Sequence, residues 1–188
     1  MKKESLEEVT TYFEKILEIL SSAGIEDEKI MSRYLEYRVA YELAKRGHVV
    51  QILNERRNKK ADIYLPKKKV RVEVKSGKFV YNSSCASFGR GSQIKENRFD
   101  YCVFVPYSEG KVKEFLIFSR EELTEVPDNP RIKFARYPKT NPCMIIRCDN
   151  YEDLKKRLQE YSENILKIEE ELHKHPEKFI ERWDKIPL

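Results

Sequence analysis

The chain has 188 residues, 37% of them charged, and a formal net charge of +5. That length suits one domain with a real core. The longest apolar runs, such as CVFV at 102–105, are far too short to cross a bilayer, so no membrane role is expected. MKKESLEEV at the start has no apolar stretch of the kind a secretory signal needs. The four cysteines (Cys85, Cys102, Cys143, Cys148) form no CxxC pair, and His48, His173 and His175 lie far from them. A zinc site is therefore not expected. Reduced thiols in a cytoplasm are the simpler expectation, with a Cys143–Cys148 disulfide as the other option.

In chain order, a helix is predicted over 5–22, with Ser5 and Glu8 as a capping box and Leu6, Val9, Phe13, Ile16, Leu17 and Leu20 as its apolar stripe. Gly24 should end it. A second helix is predicted over 27–46, with Ile30, Tyr34, Tyr37, Tyr41 and Ala44 in its stripe. Strands are predicted at 48–54, 61–65 and 69–75. Residues 76–92, rich in Ser and Gly, read as a loop, followed by a short helix near 92–98. YCVFVPY at 101–107 is apolar throughout, which predicts a strand buried on both faces. KVKEFLIFS at 111–119 predicts another strand, and REEL a helical turn. Proline-rich 127–142 is irregular, with short strand candidates at RIKFARY and CMIIRC. Leu154, Leu158, Tyr161, Ile165, Ile168 and Leu172 make a heptad seam on a helix starting near Asp149. Pro176 should break it, and a last helix should carry Trp183. The whole reads as one domain, 1–188, with a core of about 28–120, the N-terminal helix 5–22 and a C-terminal helical region 149–188.

The segment ADIYLPKKKVRVEVK at 61–75 carries the chemistry. Its second half alternates, so Val70, Val72 and Val74 share one face and Arg71, Glu73 and Lys75 the other. Matching Ile63 and Leu65 to the valine face pairs 63 with 72 and 65 with 70. The same register sets Tyr64 opposite Arg71, Lys60 opposite Lys75, and Asp62 opposite Glu73. Facing carboxylates repel and destabilise a strand pair. A shared divalent cation removes that cost, and two carboxylates suit Mg²⁺, or Mn²⁺ in its place. Lys75 lies on the same face, and a metal beside an ammonium is suited to phosphodiester hydrolysis. The plain alternative is a solvated face, with Asp62 paired to Lys60 or Lys75 and Glu73 to Arg71.

Charge distribution points the same way. Arg56 to Arg98 holds 13 Lys and Arg against three acids, a block of +10, so the remainder of the chain carries −5. A basic centre between acidic flanks favours a polyanion. Lys59, Lys60, Lys78, Arg90, Lys95 and Arg98 are candidate phosphate contacts, alongside Arg56 and Arg57.

The order helix, strand, strand with Asp62, strand with Glu73-x-Lys75, helix, strand resembles the PD-(D/E)XK nuclease superfamily over about 28–107. Ala61 stands where the family's motif has proline. The resemblance implies an α/β, restriction-endonuclease-like fold: a mixed central sheet flanked by helices, with extra N- and C-terminal helices here. It implies a magnesium-dependent deoxyribonuclease whose catalytic set is Asp62, Glu73 and Lys75, with Asp62 and Glu73 as metal ligands. It further implies a helix glutamate as a water-mediated metal ligand, Glu36 by spacing, with Glu42 competing. Gln93, preceded by Gly89, Arg90 and Gly91, matches the residue some members use to orient the water or phosphate. Double-stranded DNA, cut at specific sites by a restriction-type enzyme, is the leading expectation, and a homodimer would suit symmetric cutting. A Holliday-junction resolvase or RecB-like repair nuclease, and a non-catalytic nucleic-acid-binding module, are the alternatives.

Overall fold

The computed structural model describes residues 1–53, 61–80, 83–87, 97–108, 111–124, 143–146 and 175–188. Helices α1 (Lys3–Ser22) and α2 (Glu28–Lys45) open the chain. Strands β1 (Gln51–Ile52), β2 (Ile63–Leu65) and β3 (Val70–Val80) form an antiparallel run. β4 (Ser83–Ser87) follows, then β5 (Tyr101–Ser108), β6 (Lys111–Val112), β7 (Leu116–Ser119), the short helix α3 (Arg120–Thr124) and β8 (Cys143–Ile146). β5 lies parallel to β3, and β6 and β7 pair antiparallel to β5. The far end of β3 continues into a second ladder with β4 and β8. The result is a mixed α/β fold around a curled mixed sheet.

The β2–β3 register is the predicted one: Ile63 opposite Val72, Tyr64 opposite Arg71, Leu65 opposite Val70. Matching apolar faces was enough to set it, because a one-residue slip would turn every valine toward the wrong side. β5 is buried on both faces, as its continuous apolar run required. Val103 and Val105 point into one core with the helices, Cys102 and Phe104 into another with Phe99, Phe118 and Leu123.

Other expectations are corrected. α1 starts at Lys3, and Ser5 does not cap it. The Met1 amino group reaches the carbonyl of Val50, which ties the chain end to the body and lets the helix begin earlier. Gly24 ends α1 as expected, with positive φ and the Ile25 N–H on Leu20 O at 2.8 Å. Ile16 is exposed, so it leaves the predicted stripe. On α2 the fully buried line is Leu35, Val39 and Leu43, while Tyr37 and Tyr41 are only partly buried. The helix packs on two sides: Phe13 of α1 sits against the Tyr34 and Tyr37 rings, and the other side meets the sheet. A single stripe therefore describes it poorly.

The strand predicted at 48–54 is reduced to Gln51–Ile52 among its described residues. Residues 76–80 and 83–87 are strand rather than loop. Ser76, Gly77 and Lys78 pair with Val105, Pro106 and Tyr107, and such pairing is made by backbone groups, which Ser and Gly supply as well as Val. The strand predicted at 111–119 is split into β6 and β7. The tail is not a helix but two 3₁₀ turns, Pro176–Lys178 and Trp183–Lys185. Its backbone is engaged by the β7 region: Ile117 N–H donates to Phe179 O at 2.9 Å and Glu181 N–H to Phe115 O at 2.8 Å. Trp183 then packs on Phe115 and under the Arg46 guanidinium. REEL does form a helical turn, and CMIIRC supplies β8. The heptad helix, RIKFARY and positions 92–96 of the short helix lie outside the described residues, while Asn97 and Arg98 are not helical. No described helix is long and apolar enough to cross a membrane.

α2 also shows a local cap. Asp27 accepts from Lys29 N–H at 2.9 Å and Ile30 N–H at 3.0 Å. Asp27→Ala is expected to lower stability by ~1 kcal/mol, measurable by urea titration. No shift in midpoint would mean water caps the helix equally well.

Candidate active site

The ladder between β2 and β3 stops at Ile63 opposite Val72. Asp62 is at a bend just before β2, so it does not face Glu73 as a ladder partner. Instead its carboxylate turns back and accepts the Val74 N–H at 2.7 Å. This brings it to the base of the Glu73 strand segment by another route. Asp62 is partly exposed as a residue, but its carboxyl group is enclosed. Burial pushes that carboxyl up from 3.8 to about 7, and the charges of Glu73 and Glu36 add to the push. The Val74 N–H and Lys75 offset only part of it.

Glu73 is 7% exposed. Lys75 Nζ donates to Glu73 Oε1 at 2.6 Å. Burial alone would lower the Lys75 ammonium, but the Glu73 charge and hydrogen bond, with Asp62 behind them, outweigh it and hold it above its ordinary value. Lys75 is therefore a fixed cation at neutral pH, not a base. Both side chains stand on the sheet face of the second core, since Glu73 pairs with Cys102 and Lys75 with Phe104 across the parallel ladder. Cys102 is fully buried beside them, and burial pushes its thiol up, leaving it a neutral wall of the site.

Arg71, third on this face, does not pair with Glu73. Its guanidinium grips Asp100, with Nη2 on Oδ1 at 3.1 Å and Nε on Oδ2 at 3.2 Å. The Arg71 N–H also reaches Asp100 Oδ2, and the Asp100 N–H returns to Arg71 O at 2.9 Å. This clamp joins the start of β3 to the start of β5, two residues below Glu73.

The two helix glutamates separate clearly. Glu42 is buried among cations of its own helix, with Arg46 at 2.7 Å and Arg38 and Lys45 at 3.3 Å. Burial works against its charge, but those partners outweigh burial and hold the carboxyl below its usual range. It is a satisfied structural ion. Glu36 is also buried, yet its charge reaches Asp62, and Arg33 forms an ion pair with it on the outer side.

Asp62, Glu73, Lys75 and Glu36 thus belong to one electrostatic cluster. Of the other predicted site residues, Lys59, Lys60, Arg90, Gln93 and Lys95 lie outside the described residues, as do Arg56 and Arg57. Lys78 lies in β3 opposite Tyr107, and Arg98 is partly buried just before β5. Cys148, half of the alternative disulfide, is likewise outside the described residues. Two neighbours were missed from sequence: Arg33, for which the Arg-x-x-Glu spacing on a helix was the available signal, and Asp100, which had none beyond preceding a buried strand.

Among the described residues the Asp62, Glu73 and Glu36 carboxyls stand with the Lys75 ammonium and the Arg33 guanidinium. Carboxylate oxygens are the donor type a hard divalent cation takes. Among the described residues no group of three His, Cys, Asp or Glu side chains is gathered tightly enough to hold a metal by itself. A scan against protein-family models found none that matches the chain, and a search of curated proteins found no match.

Proposed function

We propose that the chain is a magnesium-dependent deoxyribonuclease with a restriction-endonuclease-like fold, cutting double-stranded DNA as a site-specific endonuclease. The observation that carries this is the meeting of Asp62, folded back onto the Val74 N–H at 2.7 Å, with the buried Glu73 and its 2.6 Å partner Lys75 on the same strand. Enclosed like charges cost stability, and a site that gathers them is suited to a cation. The basic block from Arg56 to Arg98 supports a polyanionic substrate.

In this reading Asp62 and Glu73 would hold the cation, with Glu36 contributing through water. A cation held there would supply positive charge to a phosphoryl oxygen and lower the pKa of a water. Lys75, anchored by Glu73, faces the scissile phosphate and stabilises the negative charge that builds on it. Lys75 does not take the proton from the water, because its partners keep it protonated. The Arg71–Asp100 clamp fixes the strand that presents Glu73 and Lys75, and Cys102 and Phe104 close the site from below. Lys and Arg of the basic block grip backbone phosphates and supply affinity without sequence choice.

The test is cleavage of plasmid, four-way junction and single-stranded DNA in Mg²⁺ or Mn²⁺, with EDTA as control. Discrete plasmid fragments support the restriction reading. Junction-only cutting would move the protein to the resolvase alternative, and single-strand cutting to repair. Gel shifts without cutting of any substrate would leave only a binding module. Lys75→Ala is expected to lower the cleavage rate about 10²-fold, as for removal of one charge-stabilising donor, with DNA affinity in Ca²⁺ within about 3-fold of the parent. An equal loss in both would make Lys75 a phosphate contact instead.

A further inference from the structure

The β2–β3 hairpin turns through Pro66, Lys67, Lys68 and Lys69, and all four are exposed. Its backbone closes the turn: Lys68 N–H donates to Leu65 O at 3.3 Å and Lys69 N–H to Pro66 O at 3.4 Å. Lys69 holds φ at 57°, the left-handed region that hairpin turns ordinarily give to Gly or Asn. A lysine there costs stability that glycine would not, and an exposed side chain gains little from packing in return. Strain of this kind is kept where a turn meets a ligand. Among the described residues none of these three lysines enters an ion pair.

The chain just after α2 lies beside this tip. Gln51 pairs with Tyr64 and Ile52 with Ile63, antiparallel, so the residues before β1 run back toward the turn. His48 is near enough to feel Lys68 as well as Arg46: burial first, then those two charges, hold its imidazole below the usual value. The Arg46 guanidinium is fixed by Glu42 at 2.7 Å and by the Trp183 ring at 4.6 Å. Two segments distant in the sequence thus bring their basic side chains to one edge of the sheet. We infer that the β2–β3 tip, with Arg46 and His48 beside it, is a separate grip on the nucleic-acid backbone, holding the duplex to one side of the phosphate that Lys75 faces. This rests on the reading of the chain as a deoxyribonuclease and adds the direction in which the DNA lies. Lys69 and Lys75 are six residues apart, about 20 Å along an extended strand. Duplex DNA rises ~3.4 Å per base pair, so the tip meets the backbone about six base pairs from the cut. Lysines are flexible point charges, suited to phosphates and blind to bases. Pro66 and Val49 are the largest apolar groups of the two segments, too small to anchor in lipid, which favours nucleic acid over a membrane.

The test is fluorescence anisotropy of a labelled duplex of about 20 base pairs with the full chain in Ca²⁺, over a range of salt. Replacing Lys67, Lys68 and Lys69 together by Gln is expected to reduce the slope of log affinity against log salt by about 2 to 3, at ~0.9 per phosphate contact, and to weaken binding at least about 10-fold. The same three changed to Arg should keep the parent slope. Lys15, Lys29 and Lys113, exposed elsewhere, should leave the slope unchanged when all three become Gln; an equal loss there would show a general charge effect and overturn the grip. Lys69→Gly should raise the melting temperature while weakening binding about 5-fold, a split that a merely structural lysine would not give. A parent slope in the Lys67, Lys68, Lys69→Gln variant would overturn the inference and leave the nuclease reading standing. Phosphatidylserine vesicles bound by the parent and lost in that variant, with duplex binding unchanged, would assign the tip to a membrane and also overturn it. If the parent binds no duplex at any salt, the nuclease reading fails and the inference falls with it.

Discussion

Glu73→Gln is expected to lower plasmid cleavage in Mg²⁺ by on the order of 10³-fold, because a lost anionic ligand forfeits several kcal/mol of charge stabilisation at the phosphate. The substitution is a mild one structurally. The amide keeps an oxygen for the Lys75 ammonium, which now sits at 2.6 Å from Glu73 Oε1, and it removes a negative charge from beside Asp62. Folding should therefore survive, and a melt at neutral pH should be unchanged or higher. Cleavage within tenfold of the parent would remove Glu73 from the chemistry. Loss of cleavage together with loss of the folded state would call for Glu73→Asp, which retains the charge and should restore part of the rate.

Asp62→Asn is expected to stabilise the metal-free protein at pH 8 while abolishing cleavage. Burial, then Glu73 and Glu36, raises the Asp62 carboxyl from 3.8 to about 7 in the folded state. Folding therefore takes up a proton between those values. The stability this group contributes is fully present below pH ~4 and is lost as pH rises to about 7, beyond which the penalty is constant. Asparagine cannot ionise, and its side-chain oxygen can still accept the Val74 N–H. The variant's advantage in denaturant melts should therefore be small at pH 4, grow to pH 7 and then level off. Mg²⁺ should narrow the gap by stabilising the parent and not the variant. A gap independent of pH would show that Asp62 is not a strained carboxylate.

Both expectations depend on a cluster that was partly legible in the sequence. Alternation at 69–75 and the apolar match of Ile63 and Leu65 to Val72 and Val70 sufficed for the hairpin register, because burying one face leaves a single pairing. The same alternation set the common face of Glu73 and Lys75, whereas the predicted ladder pairing of Asp62 with Glu73 did not form. The manner of the Asp62 approach was not legible. It left the ladder at a bend and took the Val74 N–H, a choice made by an unpaired backbone donor rather than by residue pattern.

What the sequence by itself determined was the central hairpin, the doubly buried β5, the two opening helices and the face on which Glu73 and Lys75 stand. These follow from spacings over a few residues, where local periodicity and burial leave little freedom. What only the tertiary structure decided was which α2 glutamate comes within electrostatic reach of Asp62, what Arg71 does, and where strand ends and loop begins after Ser76. Glu36 and Glu42 are alike in sequence, both buried acids on one helix. They part company because α2 crosses the sheet with Glu36 near Asp62 and Glu42 among Arg38, Lys45 and Arg46. Arg71 found Asp100, distant in the chain, because the parallel β3–β5 pair brings their strand starts together. Ser76, Gly77 and Lys78 became strand because β5 lay beside them with open backbone groups, an influence that no local pattern carries.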